Sequence, residues 1–291
     1  MFGPNIKADF GGEYFHHREP RFHSLLRDVE HLFQERFGLS DYDILFLTGS
    51  GTLANEIIMS SFQGDIRVLE PDTEFGGRLR QQRLAHFRDV PNLRIQGLAY
   101  VHYETSISCL HLTPRPWLNA LLFADMVSAF PYYLVPETVD VFTTVSSKQL
   151  GAYPVLGVLG LRKGLRLEWF FRRQPGSLLD LFAHWEAREQ GETVHTAALP
   201  LYQDLLEELE GFDQSALVQR IDQRRIQLLS CLPSEEVLGE GPVLTCTPGG
   251  RVEALADRFH LYRNRLGCYQ LFLWAGQDEE YQQFCEALRT V

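Results

Sequence analysis

The sequence predicts an α/β fold: a mostly parallel sheet between two helical layers, followed by a smaller α+β unit. Three observations carry that expectation. Short apolar runs of strand length recur at Asp43–Leu47, Ile66–Leu69, Leu98–His102, Leu121–Ala124, Val139–Val145 and Val155–Leu161. Helical or loop stretches separate them, and strands alternating with helices imply parallel pairing with both faces covered. From Tyr202 the texture changes to long charged helical stretches that continue to about residue 230.

The elements follow in order. Phe22, Leu25, Leu26, Val29, Leu32, Phe33 and Phe37 fall on one face of a helix. The run Asp43–Leu47 then leads through the turn Thr48-Gly49-Ser50-Gly51-Thr52 into a helical stretch from Leu53 to Phe62, so a strand, a glycine turn and a helix N-terminus are expected there. The remaining apolar runs supply the other strands. Beyond the charged helices, Pro242–Thr247 reads as a strand of the smaller unit. Tyr281, Phe284, Cys285 and Leu288 mark a last helix. A boundary near 215 divides a large domain, 15–215, from a small domain made of 1–14 and 216–291.

Composition limits the function. The chain has 291 residues, 45% of them hydrophobic and 22% charged, as in ordinary globular proteins. A net charge of −11 with no basic stripe argues against nucleic-acid binding. No apolar run is long enough to cross a bilayer, and the opening MFGPNIKADFGGEYFHHRE lacks the apolar core of a signal peptide. The five cysteines, Cys109, Cys231, Cys246, Cys268 and Cys285, are an odd number and form no C-x-x-C. They suit a reduced, cytoplasmic setting better than a disulfide framework. His16, His17, His23 and His31 have no carboxylate or cysteine completing a ligand set, so no metal is expected. Lysine occurs only at Lys7, Lys148 and Lys163, so nearly all of the 27 basic residues are arginines.

Three features carry chemistry. In the turn Gly49-Ser50-Gly51-Thr52, glycines let the backbone approach an anion, and N–H groups at a helix N-terminus favour phosphate, with Ser50 and Thr52 adding hydroxyls. The turn lacks both the P-loop pattern and the full dinucleotide fingerprint. Asp125 ends an apolar run, at the sheet edge where α/β folds bind ligands; a buried aspartate needs a partner, and a protonated pyridine nitrogen is a suitable one. Lys148 follows the run Val139–Val145, a setting that desolvates an amine enough for Schiff-base chemistry. Taken singly, each has an ordinary alternative: a plain strand-to-helix turn, a helix N-cap, a solvated loop lysine. In this order on three strand ends they are what pyridoxal phosphate requires: an anchor for the phosphate, a carboxylate for the ring nitrogen, and a lysine to form the Schiff base and move protons.

The chain resembles class V aminotransferases of the fold-type I pyridoxal-phosphate superfamily, in particular 2-aminoethylphosphonate–pyruvate transaminases and alanine–glyoxylate aminotransferases. The likeness runs over roughly residues 2–230. Gly3-Pro4 and His16-His17-Arg18 look like the family's opening segments, and Gly49-Ser50-Gly51-Thr52 looks like its phosphate turn. Glu74-Phe75-Gly76-Gly77-Arg78 resembles the segment whose aromatic ring stacks on the cofactor, which implies that role for Phe75. His102-Tyr103-Glu104-Thr105-Ser106 implies Thr105 near the pyridine ring. Asp125-Met126-Val127-Ser128 matches the ring-nitrogen aspartate, and Ser146-Ser147-Lys148 matches the Schiff-base lysine. Ser128 and Ser146 are thereby implied cofactor contacts. Ser177–Leu181 resembles a stretch further downstream, and Thr196 falls where the partner subunit's threonine meets the phosphate.

Some positions depart from the pattern. The chain is shorter than the family's usual length. The C-terminal segment that carries its carboxylate-gripping arginine reads Gly267-Cys-Tyr-Gln-Leu-Phe-Leu-Trp-Ala-Gly276 here, and Ala197-Ala198 replaces a proline pair. Substrate recognition is therefore assigned to Gly3 and Arg18, with Arg78 and Arg251 as further candidates.

The resemblance implies a homodimeric aminotransferase. It would work by ping-pong half-reactions between a small amino compound, 2-aminoethylphosphonate-like or a small amino acid, and a 2-oxo acid. Two other readings stay open: a pyridoxal-phosphate lyase or decarboxylase, and a cofactor-binding accessory subunit without catalysis.

Overall fold

A computed structural model describes residues 18–63, 66–68, 98–102, 121–165, 167–172 and 177–291. The first helix, α1 (Pro20–Phe37), starts on a proline whose ring presets the backbone for a first helical turn. It stops at Gly38, which takes a left-handed φ of 65° and donates its N–H to the Gln34 carbonyl. Phe22, Leu25, Val29, Phe33 and Phe37 form its buried stripe, the periodicity read from the sequence.

Six strands follow: β1 (Tyr42–Thr48), β2 (Ile66–Val68), β3 (Leu98–His102), β4 (Leu122–Asp125), β5 (Val141–Val145) and β6 (Leu156–Arg162). All six lie in one sheet in the order β1-β6-β5-β4-β3-β2. Strands β2 to β5 pair in parallel, while β6 runs antiparallel to both β5 and β1. Five strands therefore share a direction and one opposes them. The exception has a simple cause: residues 146–155 between β5 and β6 are too few for a crossover helix, so the chain turns back beside itself.

Alternation along the strands feeds two separate cores. Ile44, Leu122, Ala124, Phe142, Leu156 and Val158 face α1 and α4 (Leu199–Gly211). Leu45, Leu47, Phe123, Val141, Leu159 and Leu161 face α2 (Gly51–Ser61) and α3 (Leu181–Glu189). A strand buried on both sides must be apolar at nearly every position, which is why the runs stood out in the sequence. The result is a three-layer α/β/α arrangement.

The C-terminal part has its own sheet and core. It comprises α5 (Gln214–Leu229), β7 (Val237–Glu240), β8 (Val243–Cys246), α6 (Arg251–Leu255), β9 (Tyr262–Arg263), β10 (Tyr269–Phe272) and α7 (Asp278–Leu288). The sheet is antiparallel in the order β7-β8-β10-β9, and its core runs from Leu217 to Leu288. The expected strand at Pro242–Thr247 is β8; the other three strands had no clear sequence signal. Arg224 ties this part together. Its side chain, 6% exposed, donates to the carbonyls of Leu273, Ala275 and Gly276 and to the Asp278 carboxylate, and lies 4.3 Å from the centre of the Tyr281 ring. No described helix is long and apolar enough to cross a membrane.

The sheet leaves no room at Gly160, where an added Cβ would sit 2.0 Å from Cε1 of the Phe142 ring. Gly160→Ala is expected to overpack the β5–β6 pair and lower stability by about 1–3 kcal/mol, read as an earlier urea midpoint. An unchanged midpoint would mean that the ring yields without cost.

Candidate active site

Strands β1, β4 and β5 point the same way, so the segments after them emerge at one edge of the sheet. These are the Gly49–Thr52 turn, the loop after Asp125 and the segment carrying Lys148. Nothing in their sequence spacing requires them to meet; the strand order does.

Asp125 closes β4 and is 5% exposed. A buried carboxylate needs donors. The backbone N–H of Val127 donates to its Oδ1 at 3.0 Å, and the Asn55 side-chain amide donates to its Oδ2 at 2.8 Å. Asn55 is 6% exposed on α2, and its Oδ1 accepts the hydroxyl of Thr143 at 2.5 Å. Thr143 sits beside Asp125 in the β4–β5 register. Asn55 was not foreseen. The available signal was a lone amide in the helical run Leu53–Phe62, among the buried Ala54, Ile57 and Ile58.

Lys148 is half-buried and lies in a 3-10 turn, Lys148–Leu150, directly after β5. Its Nζ donates to Ser128 Oγ at 2.6 Å. Ser128, 2% exposed, belongs to the loop that Asp125 begins, so the lysine and the carboxylate loop are joined. Gln149 reinforces the junction: its side chain donates to the Ser128 carbonyl and accepts the N–H of Tyr132 at 2.8 Å. The Tyr132 hydroxyl in turn donates to Asp222 at 2.7 Å and accepts from Arg225 at 2.8 Å, both on α5. Burial, then the bond to Asp222, pushes that hydroxyl's pKa above its usual range. The lysine segment is thereby connected to the C-terminal part.

Backbone strain gathers here. Lys148 has φ 60° and Val155 φ 80°, conformations that cost a non-glycine residue about 1–3 kcal/mol each. The Val155 carbonyl accepts the N–H of Gly49 at 2.8 Å, which fastens the glycine turn to the start of β6. The missing Cβ atoms keep this edge tight. A Cβ on Gly157 would lie 2.8 Å from the Ser50 carbonyl, and one on Gly51 would lie 2.5 Å from Val127 Cγ2 and 3.0 Å from Val145 Cγ1. The N-terminus of α2 therefore rests directly on the Asp125 loop and the end of β5.

The other expected residues are placed as follows. Ser50 is the N-cap residue of α2 and, with Thr52, is exposed. Ser146 is fully buried, and its hydroxyl donates to the Tyr153 carbonyl at 2.6 Å, holding the turn that follows the lysine. Arg18 and Thr196 line one polar hollow together with Glu192, Thr193, Val194 and His195. Arg251 is exposed in the first turn of α6. Gly3, Phe75, Arg78 and Thr105 lie outside the described residues.

The sheet order with its one opposed strand, the two helical layers and the C-terminal α+β part form an α/β fold that matches solved aminotransferase structures. An aspartate aminotransferase of subgroup IV from Thermus thermophilus matches with a TM-score of 0.74 at 18% identity, covering 97% of this chain and 93% of that one. A phosphoserine aminotransferase from Cytophaga hutchinsonii matches at 0.73 and 14%, covering 95% and 90%. An alanine–glyoxylate aminotransferase from Nostoc sp. matches at 0.71 and 19%, covering 97% and 90%. At such identities the likeness is one of fold. No family model matches the sequence, and no curated protein matches it.

Gly51→Ala should force α2 away from the Asp125 loop and cost about 1–3 kcal/mol in urea denaturation. The double variant Gly51→Ala with Val127→Ala should recover part of that loss, since the two sites touch. Strict additivity would disprove the contact.

Proposed function

We propose that the chain is a pyridoxal-phosphate-dependent aminotransferase with Lys148 as the residue that holds the cofactor. The carrying observation is the 2.6 Å bond between Lys148 Nζ and Ser128 Oγ, which ties an amine after β5 to the loop begun by the buried carboxylate of β4. The shared fold of the aminotransferase structures supports the same reading.

The residues fit the cofactor's chemistry. Asp125 is a carboxylate fixed through both oxygens, suited to a cationic ring nitrogen. The Gly49–Thr52 turn presents a helix N-terminus, suited to a phosphate. Ser128 and Ser146, with Phe75 and Thr105, complete the proposed cofactor contacts. Gly3 and Arg18 are assigned to the substrate, the guanidinium of Arg18 being able to pair with a carboxylate through two bonds.

Pyridoxal phosphate, when bound, supplies an electron sink for charge that develops beside a substrate's amino group. The protein's part is acid–base and positional. Lys148 Nζ would hold the cofactor and, when free as an amine, would accept and return the proton at the substrate carbon. Asp125 would face the ring nitrogen and favour its protonated form. Ser128 holds Nζ next to the carboxylate loop while this occurs.

The substrates proposed are a small amino compound, 2-aminoethylphosphonate-like or a small amino acid, and a 2-oxo acid. The domain division near residue 215 and a homodimer, with Thr196 contributed across the interface, belong to the same proposal. Sedimentation equilibrium at twice the chain mass is the expected result for the dimer.

The decisive measurement is the visible spectrum of protein incubated with pyridoxal phosphate. Wild type should show a visible band that bleaches when a small amine is added. Lys148→Ala should lack the band and lose about 10²–10⁴ in turnover. A band that persists in Lys148→Ala, or no band in wild type, would refute the assignment. A Lys148-dependent band that no amine alters would favour cofactor binding without transamination.

A further inference from the structure

Asn55 occupies a position with a demanding hydrogen-bond requirement. A buried primary amide must place both N–H donors and its carbonyl. On α2 it spans two strands: Oδ1 accepts from Thr143 on β5, and Nδ2 donates to Asp125 on β4. The carboxylate can only accept, so it decides which end of the amide faces which strand. With nitrogen turned to Asp125, the oxygen faces Thr143, whose hydroxyl donates to it and braces the amide.

The consequence falls on Asp125. Val127 N–H engages Oδ1 and Asn55 engages Oδ2, so the carboxylate plane cannot rotate without breaking one bond. An apolar residue at 55 would remove one of these restraints. A lysine or arginine would supply it but would also neutralise the charge. A neutral amide fixes the carboxylate and brings no positive charge of its own, which suits a cationic partner.

We propose that Asn55 is a positioning residue: braced by Thr143, it holds the Asp125 carboxylate for the ring nitrogen of pyridoxal phosphate. This rests on the assignment of Lys148 and Asp125 made above. The interaction crosses all three elements that the close packing of Gly51 brings together, and no charge or motif in the sequence marks it.

The test compares two ligands. Apoprotein is titrated with pyridoxal 5′-phosphate and with 1-deazapyridoxal 5′-phosphate, which has carbon in place of the ring nitrogen. Wild type should prefer the first. Asn55→Ala and Thr143→Val should narrow that preference by about tenfold, the weight of a hydrogen bond to a charged group. Thr143→Ser, which keeps the hydroxyl, should retain it. Thr143→Val closely matches threonine in shape, so it serves should Asn55→Ala fail to fold. Folded variants that keep the wild-type preference, or that weaken both ligands equally, overturn the role of Asn55. A wild type with no Lys148-dependent visible band instead overturns the reading on which it rests.

Discussion

A carboxylate placed where water hardly reaches it must be hydrogen-bonded by the protein, and Asp125 imposes that requirement on the whole sheet edge. The loop immediately after its strand supplies the N–H of Val127. Another donor comes from a different layer, through Asn55 on α2, so α2 sits close. The turn before α2 meets that need because Gly51 and Gly157 carry no Cβ, and Asn55 then falls on the face that looks at β4 and β5. The glycine turn, the asparagine and the threonine on the next strand thus answer one electrostatic constraint.

The lysine side of the edge is organised differently. Lys148 adopts a left-handed backbone that its side chain disfavours, and the surroundings hold it there. The Ser146 hydroxyl and the Gly151 N–H close the turn on each side, while Gln149 locks it to the Ser128–Tyr132 loop. Opposition between β5 and β6 is what makes such a tight, strained return necessary. The network continues through Tyr132 to Asp222 and Arg225, so the position of the C-terminal part and the geometry of the lysine turn are mechanically linked.

The C-terminal part depends on a buried cation in place of a buried anion. Arg224 satisfies three consecutive-turn carbonyls and one carboxylate at once, and its face is covered by Tyr281. An arginine so completely engaged serves structure. The segment Gly267–Gly276 that Arg224 organises contains β10 and part of the local core, with Tyr269, Leu271, Leu273 and Ala275 buried.

Much of the large layered fold was legible in the sequence because burial on both faces of a sheet leaves nearly unbroken apolar runs, and the runs at β1 to β6 mark those strands to within two or three residues. The stripe of α1 was legible for the same reason, with helical spacing. Lys148, Asp125 and the Gly49–Thr52 turn could be singled out because lysine is rare here and because charged groups and glycines at strand ends are chemically conspicuous. The small strands β7, β9 and β10 were not legible: short antiparallel strands with mixed composition carry little periodicity. Nor was the role of Asn55, since a lone neutral amide in a helix names no partner until its neighbours are known. Residue type and local period were thus set by the chain itself. Which strand ends lie side by side, the reversal of β6, and the closure of Asn55 onto Thr143 and Asp125 were decided by tertiary structure alone, because hydrogen-bond partners distant in sequence exist only once the sheet order has brought them together.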